Sequence, residues 1–192
     1  MTDPAFGTST FGTSAATVVV RQAVAEDAPL LHELAAATFA LACPPGTLQS
    51  AIDDFIAKNL SLEKFETYLA DETRELFIAS VGGVPAGYTM IIHADPTDED
   101  VLAVVTSRPT SELSKVYVLA GHHGTGLASE LVRVTVEAAR AKGAASVWLG
   151  VNNENAKANR FYEKQGFVNV GTKHFLVGEK LEDDFVRVLT LR

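Results

Sequence analysis

The stretch Val116-Tyr117-Val118-Leu119-Ala120-Gly121-His122-His123-Gly124-Thr125-Gly126-Leu127-Ala128-Ser129 decides how this chain folds. Leu113–Leu119 is a β-favouring run, His122–Gly126 is a glycine-rich turn, and Leu127–Lys142 carries Leu127, Leu131, Val134 and Ala138 at helical spacing. The reading is a strand that ends in a tight turn and opens a helix. Gly124 and Gly126 remove side chains where a ligand could approach the backbone. The first amides of the following helix have no intrahelical partner, and with the helix dipole they form a natural diphosphate site. A plain tight turn is the alternative reading of two glycines. A P-loop is excluded because no Lys-Ser or Lys-Thr follows the second glycine, and a dinucleotide fingerprint lacks its third glycine.

The second informative block lies one strand and one turn further on. It reads Asn155-Ala156-Lys157-Ala158-Asn159-Arg160-Phe161-Tyr162-Glu163-Lys164-Gln165-Gly166-Phe167. Asn155, Ala158 and Tyr162 are spaced three and four apart, which places them on one helix face. Gly166 closes the helix as a C-cap residue would.

Together the two blocks resemble the GNAT acetyltransferase superfamily. His123-Gly124-Thr125-Gly126-Leu127-Ala128 is similar to its acyl-CoA motif, Gln/Arg-x-x-Gly-x-Gly/Ala, with His123 where Gln or Arg is usual. Residues 155–167 resemble its Asn-x-x-Ala-x-x-Phe-Tyr-x-x-x-Gly-Phe block. The resemblance implies acetyl-CoA as co-substrate and no metal. It implies that the loop amides from His123 to Ser129 hold the CoA diphosphate, with Gly124, Thr125, Gly126, Leu127 and Ala128 between them. It implies that the strand residues Val116, Tyr117 and Val118 splay from their neighbour and pair with the pantetheine arm. Asn155 would contact that arm, and Tyr162 would protonate the leaving thiolate. A phenol is protonated at neutral pH and can donate to a thiolate whose thiol titrates at about 8–9. Val147-Trp148-Leu149-Gly150-Val151, with Gly171, Phe175, Gly178 and Asp184, resembles a bacterial subgroup related to spermidine/spermine acetyltransferases.

An alkyl amine must lose a proton before it attacks a thioester, so a base or a water wire is needed. Glu112 is the first candidate, because the family places a carboxylate near this strand start; a solvated strand-end carboxylate is the alternative. His93 could face the cleft or the surface. His122 and His123 have no third ligand at metal spacing. Cys43 beside Pro44-Pro45 carries no nucleophile signature. Phe39, Phe55, Phe65 and Tyr68 are either acceptor-pocket lining or core.

The rest of the chain fits one domain from 17 to 192, with residues 1–16 a Gly/Ser/Thr-rich flexible leader. The expected strands are Thr17–Gln22, Glu75–Val81, Val84–His93, Leu113–Leu119, Ala145–Val151, Phe167–Val177 and Phe185–Leu191. The expected helices run from Pro29 to about Cys43, from about Thr47 to Asn59, from a Ser61 cap through Leu69, over Leu127–Lys142 and over Glu154–Lys164. Val101–Val105 could add a short strand. This order gives an α/β (α+β) fold with one mixed, mostly antiparallel sheet and helices on both faces.

Composition bounds the function. Hydrophobic residues make up 47% and charged residues 21%, ordinary for a globular protein. One cysteine allows no internal disulfide, which suits a cytoplasmic setting. A net charge of −8 argues against nucleic acid and suits a cationic amine, small molecule or peptide. No apolar run reaches the ~20 residues of a membrane span. The family resemblance also makes a homodimer an expectation. The competing function is a non-catalytic acyl-CoA-binding module on the same fold.

Overall fold

The computed structural model describes residues 17–43, 46–177 and 180–191. The leader at 1–16 and Gly178 of the subgroup pattern lie outside them. The strands are β1 (Val18–Gln22), β2 (Arg74–Val81), β3 (Val84–Ile92), β4 (Thr110–Val118), β5 (Ser146–Asn152), β6 (Val168–Val177) and β7 (Lys180–Thr190). The helices are α1 (Ala28–Thr38), α2 (Gln49–Asn59), α3 (Leu62–Ala70), α4 (Glu99–Val104), α5 (Leu127–Ala141) and α6 (Ala156–Lys164). Among the described residues the strands form one sheet in the order β1-β2-β3-β4-β5-β7-β6. Every neighbouring pair is antiparallel except β4–β5.

Strand alternation divides the core between the two faces. On β5, Val147, Leu149 and Val151 enter a cluster with Leu127, Leu131, Val132, Val136 and Ala139 of α5, and Phe161 and Tyr162 of α6 pack against it. Trp148, pointing the other way, joins Val101 and Val105 around α4. On β3, Tyr88 and Met90 meet Leu31 and Leu34 of α1 and Phe65 of α3. Leu31, Phe65, Tyr88 and Leu131 are fully buried. The burial of such side chains, each contributing about 1.5–3 kcal/mol, holds the helices on the sheet.

Three local expectations are corrected. The first helix does not run to Cys43. The α-helix ends at Thr38, whose Oγ1 donates to Leu34 O at 2.5 Å, and Phe39–Ala42 continues as a 3-10 turn that stops before Cys43. Val101–Val105 is not a strand. Asp98 accepts from the amides of Asp100 (3.0 Å) and Val101 (3.2 Å), and this cap starts α4 in place of an extended segment. The helix expected from Thr47 begins at Gln49.

Ser61 caps α3 as expected, its Oγ accepting from Lys64 N at 3.3 Å. Ser61→Ala should lower stability by about 1 kcal/mol, read as a shift of the urea midpoint at constant slope. An unchanged midpoint would mean that Phe65 packing alone fixes the start of α3.

β4 and β5 shape the site. Their parallel pairing covers only Thr110↔Ser146, Ser111↔Val147 and Glu112↔Trp148. Immediately beyond, β4 bulges against β3: Met90 pairs with Lys115 and Ile91 with Leu113, leaving Ser114 as the extra residue. A bulge bends its strand and increases its twist. The pair therefore diverges from Leu113 onward and leaves a V-shaped opening beside Val116–Val118.

Candidate active site

The opening is a cleft of about 390 Å³. One wall is β4 at Val116, Tyr117 and Val118. A second is the glycine turn and the start of α5, at His122, His123, Gly124, Gly126, Ala128 and Ser129. A third is α6, at Asn155, Lys157, Ala158, Phe161 and Tyr162, and a fourth is the end of α1 and the following turn, at Thr38, Leu41 and Ala42.

Main-chain direction on β4 follows from its pairing. Leu119 N donates to Ala86 O at 2.9 Å, on the β3 side. Alternation then turns the polar main-chain groups of Val116 and Val118 toward the cleft. Gly87 lets β3 approach closely, because a Cβ there would stand 2.7 Å from Tyr117 O.

The turn is built on left-handed glycines, Gly124 at φ +79° and Gly126 at φ +91°. Gly126 precedes the first residue of α5, and no side chain caps that helix start. The first-turn amides therefore stand at the cleft as donors for an anion. Thr125 Oγ1 donates to His122 O at 2.7 Å and tightens the turn. Thr125 and Leu127 line no part of the cleft: Leu127 is buried core, and what it offers the site is its backbone.

His123 stands exposed at the cleft mouth with both ring nitrogens bonded. Its Nε2 lies 2.9 Å from Val118 O and its Nδ1 lies 2.9 Å from Lys157 Nζ. The tautomer with hydrogen on Nε2 satisfies both, donating to the carbonyl and accepting from the ammonium. The imidazole therefore ties β4 to α6 across the mouth of the glycine turn. It also explains how the loop keeps its shape without the usual Gln or Arg. Loss of these bonds in His123→Ala should weaken binding of an anionic ligand at the turn about fivefold. Calorimetric titration with coenzyme A checks this, and unchanged affinity would show that the glycine turn holds itself.

Asn155 sits at the N-cap of α6 and its Oδ1 accepts from Ala158 N at 3.0 Å. It lines the cleft from the cap, one step before the helical face on which its spacing placed it. Tyr162 lines the same cleft from α6 and packs edge-on against Phe161 and Phe167. Burial, with the neighbouring Tyr117 adding to it, holds the Tyr162 phenol well above its ordinary value. Burial pushes Tyr117 up to about 12, with Cys43 contributing. Both hydroxyls therefore stay protonated donors at neutral pH.

Glu112 is not among the cleft-lining residues. It lies in the paired part of β4, between Ile92 and Trp148, and beyond it the Ser114 bulge separates it from Val116. Its charge acts on Lys115, whose ammonium burial lowers to about 8 while Glu112 opposes that shift. His93 also turns away, its Nδ1 3.1 Å from Ser111 Oγ and its Nε2 3.7 Å from Glu75. His32 donates through Nδ1 to Leu60 O, and His174 pairs with Asp100 at 3.0 Å. Cys43 contacts Phe39 O through Sγ at 3.5 Å, and burial raises its thiol, which disfavours the thiolate. Phe65 is core, Tyr68 donates to Asn59 O at 3.1 Å, and Phe39 stacks on Phe55; none of the four aromatics lines the cleft directly. Among the described residues no group of three or more His, Cys, Asp or Glu side chains could hold a metal ion.

Sequence reasoning missed Thr38, Leu41 and Ala42, which reach the cleft only because the chain bends after α1. It also missed Lys157. The signal for Lys157 was present, since a cation in the first turn of α6 lies across from the glycine turn.

Among the described residues the one parallel strand pair splays beside a helix start that no side chain caps, which makes the cleft a ligand-binding one. The family model of the acetyltransferase (GNAT) family matches residues 38–167, and the chain belongs to that family. It is similar to an uncharacterized N-acetyltransferase of Mycobacterium tuberculosis, 43% identical over 165 residues, covering 86% of this chain and 98% of that protein. The fold is similar to that of the PaiA N-acetyltransferase from Thermoplasma acidophilum, solved in complex with coenzyme A. The TM-score is 0.71 at 17% identity, over 91% of this chain and 99% of that one. It is also similar to yncA of Salmonella typhimurium, solved with its cofactor acetyl-CoA, with TM-score 0.62 at 20% identity over 92% and 95%. The chain is an acetyltransferase of this family. No helix among the described residues is long and apolar enough to cross a membrane.

Proposed function

We propose that residues 17–192 form one catalytic domain that moves an acetyl group from acetyl-CoA to a primary amine by direct attack in a ternary complex. The observation that carries this is the convergence of the glycine turn, the splayed edge of β4, Asn155 and Tyr162 on one cleft. The amides of Gly124 and of Gly126 to Ser129, with Lys157 beside them, suit the CoA diphosphate, while those of His123 and Thr125 donate within the turn to Ala120 O and His122 O. The Val116 main chain and the Val118 N–H suit the amides of the pantetheine arm, and the Val118 carbonyl serves His123. The amine nitrogen bonds to the thioester carbonyl carbon and the C–S bond breaks. The departing sulfur takes a proton from Tyr162, the amine proton leaves to water, and water restores Tyr162. The products are the N-acetyl amine and free CoA thiol. With Glu112 away from the cleft, its part is that of a base acting through water from the paired end of β4.

Support comes from the family, from the relatives named N-acetyltransferases, and from coenzyme A and acetyl-CoA in the fold neighbours. A cytoplasmic setting and a homodimer belong to the same proposal. A polyamine acceptor does not: no support for the subgroup likeness comes from the relatives, and among the described residues no carboxylate lines the cleft. The test is calorimetric titration of acetyl-CoA with NAD and ATP as controls, followed by thiol release with an amine panel. Selective acetyl-CoA binding with thiol release is the expected result. Binding of NAD in place of acetyl-CoA would overturn it.

A further inference from the structure

The cleft is electrically and chemically two-ended. Its ionisable nitrogen groups, His122, His123 and Lys157, sit at the glycine turn and the start of α6. At the other end stand Tyr117, Leu41, Ala42 and Thr38, and the Thr38 hydroxyl is already spent on Leu34 O at 2.5 Å. An aromatic stack backs this end: Phe39 lies 4.3 Å from Phe55, nearly parallel, and 6.3 Å edge-on from Tyr117. The apolar surface continues outward. Leu41 of the cleft wall is 51% exposed, and Phe55, stacked on Phe39, is 36% exposed.

Carboxylates are placed elsewhere. Among the described residues none lines the cleft. Asp53 and Asp54 of α2 are exposed, and Asp53 accepts from Gln49. Asp184 and Lys173 converge over Gly150 on β5, where each would crowd a Cβ. A polycation entering the apolar end would shed water with no anion to replace it, which is costly. An amine of lower basicity keeps a larger neutral fraction at physiological pH and has less need of a carboxylate beside it before attack. α-Amino groups titrate at about 8, against about 10.4 for a lysine-type amine.

We infer that the acceptor is a weakly basic amine with an apolar group beside its nitrogen, of the kind an α-amino group on an apolar residue supplies, and not a polyamine. This rests on the acetyl-transfer reading of the same cleft. It reverses the direction suggested by the net charge of −8, because that charge lies outside the cleft.

Three probes separate the possibilities: L-phenylalaninamide, glycinamide and spermidine, each with acetyl-CoA and read by CoA thiol release. L-Phenylalaninamide should exceed glycinamide about tenfold or more in kcat/KM, the effect of burying one apolar side chain, and should exceed spermidine as well. In Leu41→Asp, an exposed position in a 3-10 turn, the preference for phenylalaninamide should fall and spermidine should gain, with the urea midpoint unchanged. Spermidine as the best wild-type substrate, or glycinamide equal to phenylalaninamide, would overturn the inference while leaving acetyl transfer intact. If acetyl-CoA binds but no amine turns over, phenylalaninamide is titrated into the acetyl-CoA-loaded protein: binding weaker than spermidine overturns the inference. Failure to bind acetyl-CoA at all overturns the acetyl-transfer reading instead, and the inference with it.

Discussion

Tyr162→Phe should lower kcat about 100-fold while the dissociation constant of acetyl-CoA changes less than threefold. The change deletes one oxygen from a ring that packs against Phe161 and Phe167, so the shape of the cleft is kept. What disappears is the proton donor for the departing sulfur, and general-acid assistance of this kind contributes about 10²–10⁴. The pH dependence follows from the sign of the shift. Burial raises the Tyr162 phenol above its ordinary value, so its acid form persists throughout the range in which an amine loses its proton. In the wild type, kcat/KM for the amine should rise with pH and show no descending limb below about pH 10. In the phenylalanine variant the rising limb should remain and the plateau should drop. A plateau equal to wild type would remove Tyr162 from the reaction. A large loss of acetyl-CoA affinity would assign it to binding.

The blocks that revealed this site in the sequence were short and local. A glycine turn, a helix start and a run spaced three and four apart lie within 130 residues of family-matched chain, and each is read from neighbours in sequence. Strand order near the hairpin was legible for the same reason, since Gly82-Gly83 joins β2 to β3 directly. What could not be read is set by contacts between distant segments. The Ser114 bulge depends on register against β3, and it is this bulge that leaves Glu112 in the paired part of β4. The bend after α1, where Phe39–Ala42 tightens into a 3-10 turn, depends on packing between distant segments, and it delivers Leu41 and Ala42 to the cleft. His123 appeared in the sequence as a departure from a motif. Its partners Val118 and Lys157, respectively 5 and 34 residues away, show it to be a tie.

The least legible feature carries the second large effect. Asn159 occupies a variable position of the α6 block, yet it is 7% exposed and joins three segments. Its Oδ1 accepts from Arg187 Nε of β7 at 2.9 Å, and its Nδ2 donates to Asn152 O (2.9 Å) and Asn155 O (3.0 Å). Arg187 is 3% exposed and also donates to Glu163 Oε1 at 2.8 Å, the residue after Tyr162. The guanidinium thus grips α6 at two points, and through Asn159 it fixes the turn from which Asn155 reaches the cleft. Asn159→Leu should leave a buried guanidinium nitrogen without its acceptor and lower stability by about 3 kcal/mol. Asn159→Asp is the more telling change. It keeps the acceptor for Arg187 but sets a carboxylate oxygen against the carbonyls of Asn152 and Asn155, so the Asn155 turn should loosen at a cost in stability that the Arg187 pair offsets in part. The expected kinetic result is a rise in the KM for acetyl-CoA together with a fall in kcat, and the fall in kcat should shrink when Tyr162→Phe is already present. Residues that act through one helix couple in this way, whereas independent defects multiply. Full additivity of the two substitutions would confine Asn159 to stability.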